Sequence, residues 1–209
     1  MINYKLINKN NLINNICYCK NKHNIMAMVK ADAYGHGMKN IAKIINDYVN
    51  WYGVANEREA LQLRKLTNNN ILIVGKSKNY EKLILNNISI TVDSLEEIKE
   101  ILVICAKLKI TANLHVKVNT GMNRLGTKNI RCFKLMVNTI KRCKYLNLEG
   151  VFTHFFDADL KNNHVNEQIN CLNEYVKVIN DTNALIHVGG SFALEHKLPE
   201  FVNIQLLSY

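Results

Sequence analysis

Short apolar runs recur along the chain, each followed by a longer stretch with helical spacing. That rhythm argues for βα units and a parallel sheet. It predicts strands at Ile25–Val29, Trp51–Val54, Ile71–Val74, Ile88–Val92, Leu114–Val118, Leu148–Phe152, Leu185–Val188 and Asn203–Leu207. Helices fit between them. One opens at Asn56-Glu57 and runs to about Leu66. Asp93-Ser94, followed by Glu96 and Glu97, starts another through Lys107, because oxygens there satisfy orphan N–H groups and the helix dipole. A third covers Asn166 to about Ile179.

Eight βα units in this order match an α/β TIM-type (β/α)8 barrel, a fold of about 250 residues that can shrink to about 200. The eighth strand falls at the end of the 209 residues, so the barrel is expected to be cut close at its C-terminal end. A doubly wound open sheet is the other arrangement this rhythm allows. No G-x-G-x-x-G follows the first strand and no G-x-x-x-x-G-K-[ST] occurs, so neither a dinucleotide fold nor a P-loop is expected.

In a barrel, chemistry sits just after the C-terminal ends of the strands. Polar and glycine-rich segments fall there: Lys30 to Gly37, Asn119 to Gly126, Thr153 to Asp159, and Gly189-Gly190-Ser191. Lys30 ends an apolar strand. Partial desolvation there frees an amine to act as nucleophile or base, whereas a snorkelling lysine would merely reach solvent. Tyr34-Gly35-His36-Gly37 follows, and its glycines allow close backbone approach to a ligand. Gly190 and Ser191 offer N–H groups and a hydroxyl for an anion, or an ordinary turn and cap. Arg124, in a Gly-flanked loop, could hold an anionic oxygen or sit in solvent. His154 and His187 end strands six and seven, where structural and catalytic histidines are both found. No H-E-x-x-H or G-x-S-x-G occurs, and no metal site is expected.

Composition narrows the classes. With 48% hydrophobic and 21% charged residues, the chain reads as a soluble globular protein. The formal charge of +10 comes from 27 basic against 17 acidic residues. It accompanies 32 asparagines and abundant Lys and Ile, all encoded by A/T-rich codons, and the basic residues are scattered, so nucleic acid is not an expected partner. No apolar run approaches the roughly 20 residues of a membrane span, and Met1 to Asn10 has no apolar signal region. The first 31 residues lack Asp and Glu, as transit peptides do, but they also lack Arg and run straight into a strand. Six cysteines without a C-x-x-C pair suit reduced thiols, and a cytoplasmic location is expected.

Four segments carry a resemblance. Val29-Lys30-Ala31-Asp32-Ala33-Tyr34-Gly35-His36-Gly37 resembles the cofactor-lysine signature of the alanine racemases, which use pyridoxal 5′-phosphate (PLP). Lys117 to Gly126 resembles that family's K-x-D-T-G-M-x-R-x-G, Glu149 to Phe155 its E-G-[IL]-[FW]-[ST]-H-[FL], and His187 to Ser191 its H-x-x-N-S. Order and approximate spacing also match. The resemblance implies interconversion of L- and D-alanine, hence D-alanine biosynthesis for the cell wall. It implies that Lys30 forms the internal aldimine with PLP and moves a proton on one face of the substrate. Tyr34 and Ser191, beside Gly190, would hold the phosphate and Arg124 the phenolic oxygen. Lys117 matches a lysine that some members carbamylate to orient that arginine. His154 would lie against the pyridine ring, and His187 would support the group facing its nitrogen.

The resemblance also brings departures. Phe201 to Tyr209 aligns with V-R-P-G-I-x-L-Y, which places Asn203 where an arginine faces the ring nitrogen and Tyr209 on the tyrosine. Asn119 stands for the family's Asp and Gly190 for its Asn. The family's second acid/base is a tyrosine of a C-terminal β domain that acts across a homodimer. Residues 1–209 are expected to be the N-terminal barrel alone, without that domain. The other readings of the same motifs are a non-catalytic, single-domain PLP-homeostasis protein and an inactive racemase remnant.

Overall fold

A computed structural model describes residues 5–20, 24–158, 163–179, 183–190, 196 and 198–208. Asp159, Ser191 and Tyr209 lie outside the described residues. The chain opens with α1 (Lys9–Lys20) and enters β1 (Ile25–Met28), α2 (Met38–Ile45), β2 (Trp51–Val54), α3 (Glu57–Arg64) and β3 (Asn70–Ile73). It continues through α4 (Tyr80–Leu85), β4 (Ser89–Val92), α5 (Leu95–Leu108), β5 (Ala112–Lys117) and α6 (Ile130–Lys141). The last elements are β6 (Leu146–His154), α7 (His164–Ile179), β7 (Leu185–Gly189) and β8 (Ile204–Ser208). Each expected strand is present; β6 is longer at both ends than the apolar run predicts.

Every strand pairs in parallel with the next, and β8 pairs with both β7 and β1. The register of β1 against β8 runs from Ile25↔Gln205 to Met28↔Ser208, so the sheet closes. Closure excludes the open doubly wound sheet. At the C-terminal end, β8 reaches far enough to pair along all of β1.

The sequence makes this wall because both sides of each strand are buried. Ile71 and Ile73 pack outward under the helices, while Leu72 between them faces the barrel interior. Two buried faces explain the near-continuous apolar runs. The helices start where side-chain oxygens accept first-turn N–H groups. Asn56 Oδ1 accepts from Glu59 N at 3.1 Å and Asn129 Oδ1 from Arg131 N at 2.9 Å. Ser94 rather than Asp93 caps α5, its Oγ accepting from Glu97 N.

The barrel interior is divided. Met26, Met28, Trp51, Leu72, Ile204 and Leu206, from β8 and β1 to β3, form its apolar part. The buried polar residues Ser89, Thr91, His115, Lys117 and His187 come from β4, β5 and β7. A bulge in β6 turns Glu149 toward the polar half: Leu114 pairs Leu148 but His115 pairs Gly150, leaving Glu149 as the extra residue.

At the C-terminal end of the strands the loops after β2 and β3 touch. A Cβ on Gly75 would lie 2.3 Å from the Ala55 carbonyl oxygen, a backbone atom that cannot step aside. Gly75→Ala is therefore expected to lose about 1–3 kcal/mol of stability in urea unfolding. A variant as stable as the wild type would show that the two loops are not held this close.

Candidate active site

A cleft opens at the C-terminal ends of the strands, about 710 Å³ including the solvent at its mouth. Lys30, Tyr34, Lys117, Arg124, His154 and Gly190 all line it. They come from segments up to 160 positions apart, arithmetically 190 − 30, and barrel closure brings them together. No Asp or Glu is among the described residues lining it.

Lys30 follows β1 by one residue and enters a left-handed turn. Ala31, Asp32, Ala33 and Tyr34 have φ of 50°, 53°, 52° and 54°. Side chains with a Cβ resist this conformation by about 1–2 kcal/mol each. The turn persists because its polar groups are tied down. Ala33 N donates to Val29 O at 2.9 Å, and Gly37 N to Asp32 O at 2.9 Å. Asp32 Oδ1 accepts from Met38 N at 2.7 Å, and Glu59 Oε1 from Ala31 N at 2.8 Å. Lys30 Nζ stands 5.8 Å from the Tyr34 ring centroid.

Lys117 ends β5 with only 5% of its surface exposed. Its Nζ lies 5.0 Å from the Phe152 ring centroid. Burial, then Arg124 and more weakly Lys30 and Lys76, push its amine down from 10.5 to about 8, against the opposing pull of Asp93. Burial and the same neighbours Arg124, Lys117 and Lys30 push His154 down to about 4, so its ring is neutral at pH 7. Gly189 makes room for that ring: a Cβ there would lie 2.3 Å from His154 Nδ1.

The Arg124 loop is built by oxygens that were not recognised from the sequence. Asn119 Oδ1 accepts from Gly121 N at 3.0 Å and Asn123 N at 3.1 Å. Asp93 Oδ2 accepts from Gly126 N at 2.8 Å, while its Oδ1 pairs with Lys76. In the sequence Asp93 read only as part of a helix start. Glu59 sits in the first turn of α3, and no local signal there marks the distant N–H groups it accepts from.

His187 does not line the cleft. It is wholly buried, stacked on Phe152 with centroids 4.6 Å apart and rings 7° from parallel. Its Nε2 lies 2.8 Å from His115 Nδ1, and His115 Nε2 lies 3.0 Å from Glu149 Oε2, which also accepts from Ser89 Oγ. A carboxylate only accepts, so the ring nitrogen facing Glu149 carries hydrogen, and a neutral imidazole then has its other nitrogen bare. His115 therefore presents Nε2–H to Glu149 and its bare Nδ1 to His187 Nε2–H. That leaves His187 Nδ1 without a partner among the described residues.

Asn203 is a correction. It sits at the opposite end of the barrel, in a pocket with Asn24, Asn50 and Asn70 at the N-terminal ends of the strands. Its Oδ1 accepts from Ile186 N at 2.8 Å and its own N–H donates to Ile186 O at 2.9 Å. The register explains the miss. Ile204 is level with His187, so position 203 lies below it, and a short amide committed to Ile186 cannot climb to the mouth. His187 accordingly partners His115 and not residue 203.

Comparison with known proteins follows the same residues. The family model of the alanine racemase N-terminal domain matches residues 7–204. The chain belongs to that family. It is 30% identical over 203 residues to an alanine racemase of Francisella philomiragia, covering 91% of this chain and 54% of that protein. It is 35% identical over 176 residues to one of Streptococcus pyogenes serotype M28, covering 79% and 46%. An alanine racemase structure from Clostridium difficile 630 superposes with a TM-score of 0.88 at 30% identity, covering 96% of this chain and 58% of that one. The chain thus spans about half the length of the racemases it matches. No helix among its described residues is long and apolar enough to cross a membrane.

The depressed Lys117 amine gives a titration with a defined sign. It should lose its proton near pH 8, followed by NMR of ¹³C-methylated lysines, and Arg124→Met should move the midpoint upward. Between pH 8 and 10.5 the unfolded chain holds a proton there that the native chain does not, so stability rises with pH across that window. This increment should vanish in Lys117→Met. A Lys117 midpoint at the ordinary lysine value would refute the buried, cation-crowded environment.

Proposed function

We propose that residues 1–209 are the PLP-binding barrel domain of an amino-acid racemase that interconverts L- and D-alanine. The observation that carries the reading is the convergence of Lys30, Lys117 and Arg124 on one cleft whose described lining has no carboxylate, in a chain of this family. PLP brings a phosphate, a phenolic oxygen and an aldehyde, and the lining fits each. Basic side chains face the anionic oxygens, and a primary amine can meet the aldehyde. Gly190, at φ 114°, has open space where a Cβ would stand.

When bound, PLP supplies an electron sink for the carbanion left when the substrate loses its Cα proton. The chain's own residues do the rest. Lys30 would hold the cofactor through its amine and would move the Cα proton on one face of the substrate. Tyr34 and Ser191 bind the phosphate, with the bare Gly190 backbone allowing close approach. Arg124 would hold the phenolic oxygen by charge-assisted hydrogen bonds. Neutral His154 packs against the ring without adding a charge to a crowded site.

Lys117 takes the carbamylation role that the family resemblance implies. An amine that deprotonates near 8 presents a neutral fraction at physiological pH. Once the ammonium has given up its first proton, the neutral nitrogen bonds to the carbon of CO₂ and releases a second, so that a cation beside Arg124 becomes an anion. Inverting the substrate needs a second acid/base on the opposite face. We assign it, by likeness to the family, to a tyrosine outside this barrel, delivered by the partner in a homodimer.

Borohydride treatment of protein incubated with PLP, followed by peptide mapping, should label Lys30, and Lys30→Met should abolish the label. Arg124→Met should weaken PLP binding about tenfold, the loss of one strong charge-assisted contact. Alanine incubated with the PLP-loaded barrel in D₂O should exchange its Cα hydrogen with its configuration retained, because the opposite-face acid/base is assigned outside residues 1–209. An unlabelled Lys30 refutes PLP binding. Labelling with neither exchange nor inversion refutes the racemase reading in favour of a cofactor carrier.

A further inference from the structure

We infer that Glu59 is a positioning residue for Lys30, the strut that holds the strained turn so that the Lys30 amine points into the cleft. The inference rests on the reading of Lys30 as the PLP-bearing lysine.

The first observation is which peptide Glu59 holds. Its Oε1 accepts from Ala31 N at 2.8 Å. That N–H belongs to the peptide plane that begins at the Lys30 carbonyl. Fixing it sets ψ of Lys30, and with it the direction in which the side chain leaves the backbone. The second observation is what the other oxygen holds. Glu59 Oε2 accepts from Ala55 N at 2.8 Å, in the connection from β2 to α3. Ala55 itself lines the cleft. One carboxylate therefore bridges the loops after two neighbouring strands, taking one backbone N–H from each.

The third observation is strain. Ala31 to Tyr34 all have φ above 49° in the left-handed region, and none is glycine. Such a run survives only where its surroundings over-determine it. Within the turn, Asp32 secures the far end through Met38 N, and Lys5 Nζ donates to Gly35 O at 3.0 Å. Glu59 is the side chain on the near end, next to Lys30. Its own placement is set by the cap of α3, where Asn56 Oδ1 accepts from Glu59 N.

The chemistry requires a carboxylate. Both contacts are N–H donors, so two acceptor oxygens are needed at once. Glutamine has the same shape but turns an NH₂ toward one of the two N–H groups. Aspartate is one methylene shorter and loses the span between the loops.

The test separates positioning from folding. Glu59→Ala and Glu59→Gln are compared with wild type for the rate at which PLP and borohydride label Lys30, with surface Lys39 as the internal control. Lys30 labelling should slow about tenfold or more in Glu59→Ala, with Lys39 unchanged, because small misplacements of a reacting group cost rate steeply. Backbone NMR shifts of Ala31 to Tyr34 should move away from left-handed values in the same variant. Adding Ala31→Gly, which makes the left-handed conformation cheap, should restore part of the labelling rate. A purely structural role would not produce that glycine rescue. Should Glu59→Ala fail to fold, the isosteric Glu59→Gln decides by the same readouts. Wild-type labelling and left-handed shifts in a folded Glu59 variant overturn the inference. If Lys30 is unlabelled even in wild type, the PLP reading fails by itself, and the NMR shifts and their glycine rescue still judge the strut.

Discussion

Repulsion among cations governs the mouth of this barrel. Lys30, Lys117 and Arg124 reach a single cleft, and Lys76 adds its field from the loop after β3. Two unit charges about 4 Å apart repel by about 4 kcal/mol even at an effective dielectric constant of about 20. Burial first, and the neighbouring cations after it, press protons off these groups: Lys117 falls to about 8 and His154 to about 4. Asp93 offsets part of it from the rim, but it is already shared between Lys76 and the Gly126 N–H. A site arranged in this way gains most from an anion, and the PLP proposed for it would answer that need with a doubly anionic phosphate and a phenolic oxygen in one molecule.

The division of the barrel interior places this charge. Methionine, leucine and isoleucine fill the half formed by β8 and β1 to β3. The other half carries a polar column from Ser89 and Glu149 through His115 to His187, and then Lys117. Phe152 separates the two levels, with His187 stacked on it and Lys117 Nζ 5.0 Å from its ring centroid. Buried polar groups are tolerable only when paired. The bulge at Glu149 does that pairing, because without the extra residue the register would turn its carboxylate outward. Closure of the sheet by β8 then turns one-dimensional spacing into a ring of loops around a common centre.

Strands and loops were legible because their signals are local. An apolar run such as Ile71 to Val74 needs no partner to be read, and glycines mark where backbone must approach something. The four motif segments carried Lys30, Lys117, Arg124, His154 and Gly190 to one cleft, as their likeness to the family implied. Asn203 failed because a motif alignment counts residues whereas position in a barrel depends on register, and one pairing, His187↔Ile204, sets its depth. The Glu149–His115–His187 column was hidden for a related reason. A bulge is a relation between strands and leaves no mark in the sequence of either one. Glu59 and Asp93 carry ordinary helix-start signatures, and what distinguishes them is the distant N–H each accepts from.

The departures from the family pattern bear on the same electrostatics. Asn119 replaces an aspartate, yet its single amide oxygen still accepts from both Gly121 N and Asn123 N. Loop geometry therefore survives the substitution, because that oxygen needs lone pairs and no charge. What is lost is a negative charge two residues beyond Lys117, just past the end of β5. With that counter-charge gone, Asp93 is the one carboxylate raising the Lys117 amine against burial and three cations. The balance moves toward the neutral amine, which is the form that reacts with CO₂. Carbamylation would then return to residue 117 the negative charge missing from residue 119, while the rim carboxylate Asp93 stays engaged by Lys76 and the Gly126 N–H.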